Sequence, residues 1–295
     1  MRTRRFGVTN LSMSALGFGA LHLSLEGRPS REDSIALLHR ALELGVTLFD
    51  TADSYCRDDS DAHHNERLLH EALSTYPGDT SGVIVATKGG MVRPGGDWVV
   101  LCEPDHLRRT LRESFEALGG KRPIELWQLH TVDPRYSLES CLAVAREAQE
   151  AGLVRHIGLS NVSLEQLQRA RRLAPIVSVQ NEYNPWQRGS EFTGVLACCE
   201  HEGLAFLPWS PLGGPRRIAE LGAIPRIQEL ARARGVSVPQ LVLAWMMAKA
   251  SCVVPIPGAR RRATLEDSLA AAELKLTPEE VRDLDRSAPH RRREL

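Results

Sequence analysis

The chain carries no excess of either charge: Lys+Arg and Asp+Glu both total 37, so the net charge is zero with histidine neutral. Nothing global therefore points to nucleic acid or an anionic membrane as a partner. Disulfide and metal frameworks are missing too. Cys56, Cys102, Cys141, Cys198, Cys199 and Cys252 show no CxxC or metal-type spacing, and scattered thiols suit a reducing compartment, so the expected location is cytoplasmic. The longest near-apolar run, Leu241 to Ala248, is too short to span a bilayer. The basic start MRTRRFGVTN has no apolar stretch behind it and does not read as a secretory signal. No Pro/Gly/Ser linker or low-complexity tract divides the chain, which reads as one domain over residues 1–295.

What is present is alternation. Eight strand-like runs occur at 15–19, 46–49, 83–87, 124–130, 154–159, 176–180, 204–208 and 252–256. Helical spacing separates nearly all of them. Ile35, Leu38 and Leu42 make 31–44 an amphipathic helix capped by Ser30, and further helices read at 65–75, 105–118, 138–151, 163–173 and 190–202. Helices at 224–234 and 238–249 precede the eighth run. Helices at 262–273 and 277–286 follow it, the last opened by a Thr277–Glu280 capping box with Pro278 at its first position. Residues 3–13 read as a hairpin turned at Thr9-Asn10, placed to plug one end of a barrel. Repeated strand–helix units in this length predict an α/β fold of the (β/α)8 TIM barrel type. An open dinucleotide-binding sheet would show GxGxxG after its first strand, whereas Gly17-Phe18-Gly19-Ala20-Leu21-His22 lacks the third glycine. The long loops 50–64, 88–104 and 209–223 all follow strands and are the expected pocket walls.

Four ionisable residues sit at or just after strand ends: Asp50, Tyr55, Lys88 and His130. In a closed barrel these ends share one face. An ammonium beside a phenol favours phenolate and draws its pKa down toward the working range. Asp50 can keep Lys88 charged, and a neutral His130 can donate a hydrogen bond to a substrate oxygen. Such a set moves a proton and binds a carbonyl, but supplies no electrons, so a reduction would need a nicotinamide. Taken singly, Asp50 reads as a turn cap, Tyr55 as a loop aromatic and His130 as a structural histidine. Asp58, Asp59, Asp61, His63 and His64 offer ligand atoms without fixed spacing and are not taken as a metal site. Glu66 with Arg67 reads as the start of a surface helix, and PHRRREL as a solvated tail.

GVTLFDTADSY, ATKGG, WQLH, HIGLSN, VQNEYN, PWSPLGG and VPIPGARR stand in the order and spacing of the aldo-keto reductase superfamily, which the chain resembles from about residue 5 to about 287. The resemblance extends to the β-subunits of voltage-gated potassium channels. It implies a barrel that binds extended NADPH, rather than NADH, and reduces a small-molecule aldehyde or ketone. The channel subunits imply an alternative, a nicotinamide-binding regulatory subunit with slow turnover. By the resemblance Tyr55 is the proton donor, Lys88 and Asp50 its tuning pair, and His130 the carbonyl-orienting residue. Ser160, Asn161 and Gln180 would hold the carboxamide, with Asp50 nearby. Gly19, Ala20 and Leu21 would run beside the nicotinamide ribose. Trp209, a tyrosine in most of the family, would stack on the ring, and Ser210, Leu212 and Gly213 would face the pyrophosphate. Arg260 and Arg261 would meet the adenosine 2′-phosphate and Asp267 the adenine, while Thr264 and Ser268 depart from the family pattern. Leu21, Cys56, Trp98, Thr131 and Trp186 would line an apolar substrate pocket.

Overall fold

Short, largely buried runs pair as parallel strands in sequence order: Phe18–Gly19, Leu48–Asp50, Ile84–Gly89, Ile124–Leu129, Val154–Ser160, Ile176–Gln180 and Ala205–Phe206. The structure is a computed structural model and describes residues 1–289, so the basic tail beyond Pro289 lies outside the described residues.

The eighth run closes the ring without forming a regular strand. On one side Phe206 donates to Cys252 O and Val254 to Phe206 O, at 2.9 and 2.8 Å; on the other Gly17 donates to Pro255 O and Gly19 to Pro257 O, at 2.9 and 3.1 Å. Pro255 and Pro257 have no N–H to return, so the ladder here is thin. Closure also demands a close approach. A Cβ on Gly19 would lie 2.7 Å from Ile256 O, so glycine is required where the first strand meets the last segment. The expected strands at 15–19, 204–208 and 252–256 are accordingly shorter or irregular.

The N-terminal hairpin pairs Thr3–Arg5 with Ser12–Ser14. It drives Phe6 and Met13, both fully buried, among Leu48, Ala86, Leu126, Val177, Leu207 and Val254, so the hairpin stoppers the barrel interior. Gly7 makes this possible: its φ is +57° and a Cβ there would sit 2.3 Å from Val177 O. Helices coat the outside, and their caps follow chemistry legible in the sequence. Ser30 accepts from Asp33 N ahead of Arg31–Glu43, and Thr277 and Glu280 cap Pro278–Ser287 reciprocally.

Three segments depart from expectation. The helix expected at 190–202 breaks into Gly189–Phe192 and Val195–Glu202 because Gly194 adopts φ +85°. Loop 209–223 contains a helix, Pro215–Gly222, whose proline at the first position is a start signal lost among the turn-forming glycines. Loop 88–104 folds into a two-stranded ribbon, Met91–Val92 against Val99–Val100. Among the described residues no helix is long and apolar enough to cross a membrane.

Because Gly7→Ala adds both left-handed strain and a clash inside the barrel, it should lower the unfolding free energy by about 2–4 kcal/mol. Urea denaturation checks this; a variant as stable as the parent would show that the hairpin does not stopper the barrel.

Candidate active site

Asp50, Lys88, Ser160 and Gln180 all stand at the C-terminal ends of barrel strands, and His130 follows one directly. Strand register brings them together: Gly19 pairs with Asp50, Asp50 with Ala86, Lys88 with Gln128 and Gln180 with Ser160. Tyr55 joins from the turn after the second strand, where Thr51 N and Asp53 N bond to the carbonyls of Ala86 and Lys88.

At the centre Lys88 is fully buried. Its Nζ donates to Asp50 Oδ2 at 2.8 Å, to Thr51 O at 2.8 Å and to Tyr55 Oη at 2.9 Å. Three acceptors match the three N–H bonds of an ammonium. Asp50 Oδ1 accepts from Gln180 Nε2 at 2.7 Å, so that carboxylate is also filled. Burial lowers Lys88 and raises Asp50 from their ordinary values, while each partner's charge opposes the shift.

The phenol differs from the expectation. Burial, then the Asp50 and Asp53 carboxylates, push Tyr55 well above its ordinary pKa, although the Lys88 ammonium donates to its oxygen. Tyr55 is thus held protonated. Its ring stands edge-on to His130, with centroids 5.9 Å apart, and edge-on to Trp98 at 6.3 Å. Burial and the Lys88 charge push His130 well below its ordinary pKa, so the imidazole is neutral.

These groups open into a cleft of about 460 Å³ whose wall includes Gly19, Leu21, Asp50, Tyr55, Trp98, His130, Ser160, Asn161, Gln180, Trp209 and Ser210, all anticipated, together with His22, Met91, Pro211, Ile256 and Gly258. Asn161 is a hub: at φ +56° its amide donates to His130 O at 3.0 Å and accepts from the Trp209 indole at 3.0 Å.

Other anticipated residues lie elsewhere. Cys56 is buried with its thiol toward Ser54 O, Trp186 is buried near Arg217, and Thr131 lies past His130 with its carbonyl toward the Cys102 thiol; none lines this cleft. Ala20 is fully buried, its N–H on Asp50 O. Leu212 packs against the core and Gly213 abuts Arg217. Asp267 spends its oxygens on Ser237 Oγ and Gln240 Nε2, each at 2.8 Å. Arg260 and Arg261 line a second hollow, also about 460 Å³, with Asp33, Arg40 and Arg262. Arg40 and Arg262 share Glu266, whereas Arg261 makes no ion pair or side-chain hydrogen bond among the described residues.

Glu66, expected at the surface, is fully buried beside the tetrad, accepting from Thr87 Oγ1 at 2.5 Å and bonded to His63 Nδ1 at 2.6 Å. Asp53, also unforeseen, is buried with neither oxygen in hydrogen-bond geometry. A signal existed: Asn65, Glu66, Leu68, Leu69 and Ala72 are the buried positions of His64–Thr75, so an acid falls on an apolar helical stripe. The remaining candidate metal ligands engage separate partners, Asp61 with Arg28 and His64 with Ser24.

The comparisons place this barrel in a class of oxidoreductase. The sequence model of the aldo/keto reductase family matches residues 15–289, and the chain belongs to that family. It is 36% identical to an uncharacterized oxidoreductase of Schizosaccharomyces pombe over 94% of this chain and 88% of the other. It is 32% identical to pyridoxine 4-dehydrogenase of Escherichia coli, covering 97% and 98%. Among solved structures, a thermostable aldo-keto reductase bound to the inhibitor epalrestat superposes with a TM-score of 0.82, 28% identity and 97% and 99% coverage. An aldo-keto reductase from Bacillus halodurans in holo form superposes at 0.80 and 23% identity, covering 98% and 96%, and supports the fold.

Burial and neighbouring Glu66 raise Asp53 to about 7. The folded state then holds a proton that the unfolded chain releases near pH 4. The associated stability is full at acid pH and lost as pH rises through 7, on the order of 4 kcal/mol. Asp53→Asn should flatten this decline in urea unfolding between pH 5 and 8; parallel curves for both proteins would refute it.

Proposed function

We propose that this chain reduces an aldehyde or ketone to the alcohol, reversibly, with NADPH as reductant and Tyr55 as proton donor. The observation that carries the reading is the Lys88 ammonium shared among Asp50, Thr51 O and the Tyr55 phenol, with a neutral imidazole beside that phenol in one cleft.

The residues present suit a nicotinamide. Ser160, Asn161 and Gln180 supply amide and hydroxyl groups for a carboxamide, and the Trp209 indole offers a flat face. When bound, that group supplies the hydride for the carbonyl carbon. The chain's own residues handle charge. As negative charge develops on the carbonyl oxygen, His130 donates a hydrogen bond to it and Tyr55 Oη delivers the proton. The phenolate left behind is stabilised by the Lys88 N–H at 2.9 Å, and Asp50 keeps that ammonium charged. The phenol carries its proton when the carbonyl arrives, and the Lys88 cation that offsets the cost of forming the phenolate is already in place.

Cofactor choice rests on the second hollow. Arg261 has its guanidinium uncommitted there, and Arg260 gives one bond to Glu26 O at 3.3 Å, so both have donors left for a phosphate. The relatives named for pyridoxine and for epalrestat binding make pyridoxal and aromatic aldehydes sensible first substrates.

Loss of reduced-nicotinamide absorbance over an aldehyde and ketone panel tests the reading. Tyr55→Phe should lower kcat about 10²–10⁴-fold with cofactor affinity retained; undiminished turnover defeats the assignment. Arg260→Ala with Arg261→Ala should raise KM for NADPH at least tenfold while moving that for NADH far less; equal effects would sever the hollow from the 2′-phosphate.

A further inference from the structure

Arg93 is a buried cation with no part in the chemistry above. It is 8% exposed, and its Nε and Nη1 have no hydrogen-bond partner. Nη2 donates only to Arg57 O, at 3.2 Å. Asp59 accepts the Arg93 backbone N–H at 2.6 Å rather than its guanidinium, and among the described residues no carboxylate forms an ion pair with that side chain. Burying a guanidinium with donors unmet is costly unless something supplies acceptors.

Its position says where acceptors would come from. Arg93 directly follows the ribbon strand Met91–Val92, at φ −125° and ψ 52°, and its side chain packs against Trp98, which with Met91 lines the cleft. The guanidinium stacks 4.1 Å from the centre of the Trp98 indole. Trp98 stands edge-on to Tyr55 and is 44% exposed, on the ribbon rather than the barrel. The Trp98 ring therefore contacts both the Arg93 guanidinium and the ring of the proton donor. The charge also reaches Cys56, the residue after Tyr55, opposing the burial that raises its thiol.

We infer that the substrate bears an anionic group about one aromatic ring away from its carbonyl, and that Arg93 receives this group when Trp98 turns aside. Each edge of the guanidinium pairs an unpartnered nitrogen, Nε or Nη1, with Nη2, and the Nη2 N–H not spent on Arg57 O leaves one edge for a carboxylate or phosphate bidentately. The inference rests on the reductase reading and names the substrate class of that same cleft.

A matched pair tests it: 4-carboxybenzaldehyde, anionic, against its neutral methyl ester, methyl 4-formylbenzoate, both followed by NADPH oxidation. The parent should prefer the acid by about 10–100-fold in kcat/KM, the scale of a charge-assisted bidentate contact. Arg93→Gln should bring the acid-to-ester ratio within about threefold of unity, through a raised KM for the acid. Trp98→Ala, on an exposed ring whose loss spares the core, should keep or increase the ratio, and serves if Arg93→Gln fails to fold. A parent ratio near one, or equal losses on both aldehydes in Arg93→Gln, overturns the inference while leaving the reductase intact. Turnover of neither aldehyde nor any panel member overturns the reductase reading and this inference with it.

Discussion

A single buried ion pair governs this protein. Lys88 and Asp50, 2.8 Å apart and both shielded from water, cost far more to bury separately than together. The arrangement is stable because every other valence is filled: Thr51 O and Tyr55 Oη take the remaining ammonium protons, and Gln180 fills the second carboxylate oxygen. Five side chains or carbonyls from three strands and their turns are thereby locked into one geometry. The same bonds that satisfy the lysine aim the phenol, so structural need and chemical use coincide.

The rest of the barrel exists to hold those strand ends in register. Closure depends on a last segment with two prolines, a weak ladder that lets backbone pass close to Gly19. The stopper of Phe6 and Met13 compensates by packing the interior from below. Rigidity at the bottom thus supports a polar and partly open top, where loops carry Tyr55, Trp98 and Trp209 into the cleft. Around Asp50, Tyr55, Lys88 and His130 a second tier of acids, Asp53 and Glu66, supports the lysine charge, Asp53 also raises the phenol, and His63 links Glu66 to Glu113 nearer the surface. Family membership, shown by the match over residues 15–289, places this arrangement among enzymes that oxidise and reduce small molecules.

Much of this was legible in the chain. Helix caps at Ser30 and Thr277, the order of the strands, and the placement of Asp50, Lys88 and His130 at their ends follow from local periodicity and capping chemistry. Where reading failed, a distant contact overrode local preference. Pro215 started a helix inside a glycine-rich loop, Gly194 broke another, and Glu66 looked like a surface acid because the barrel that covers it was not visible. Cys56 and Trp186 looked like pocket residues from their neighbours in sequence, yet the backbone turns both inward.

By itself the sequence determined which residues could form strands, which could cap helices and which could exchange protons, since these depend on a few neighbours along the chain. Only the tertiary structure decided that Tyr55 is held protonated, that Glu66 and Asp53 are buried, and that Arg93 lies unmatched behind Trp98. Those properties are set by dielectric and charge across strands far apart in sequence, and only closing the barrel brings such groups within reach of one another.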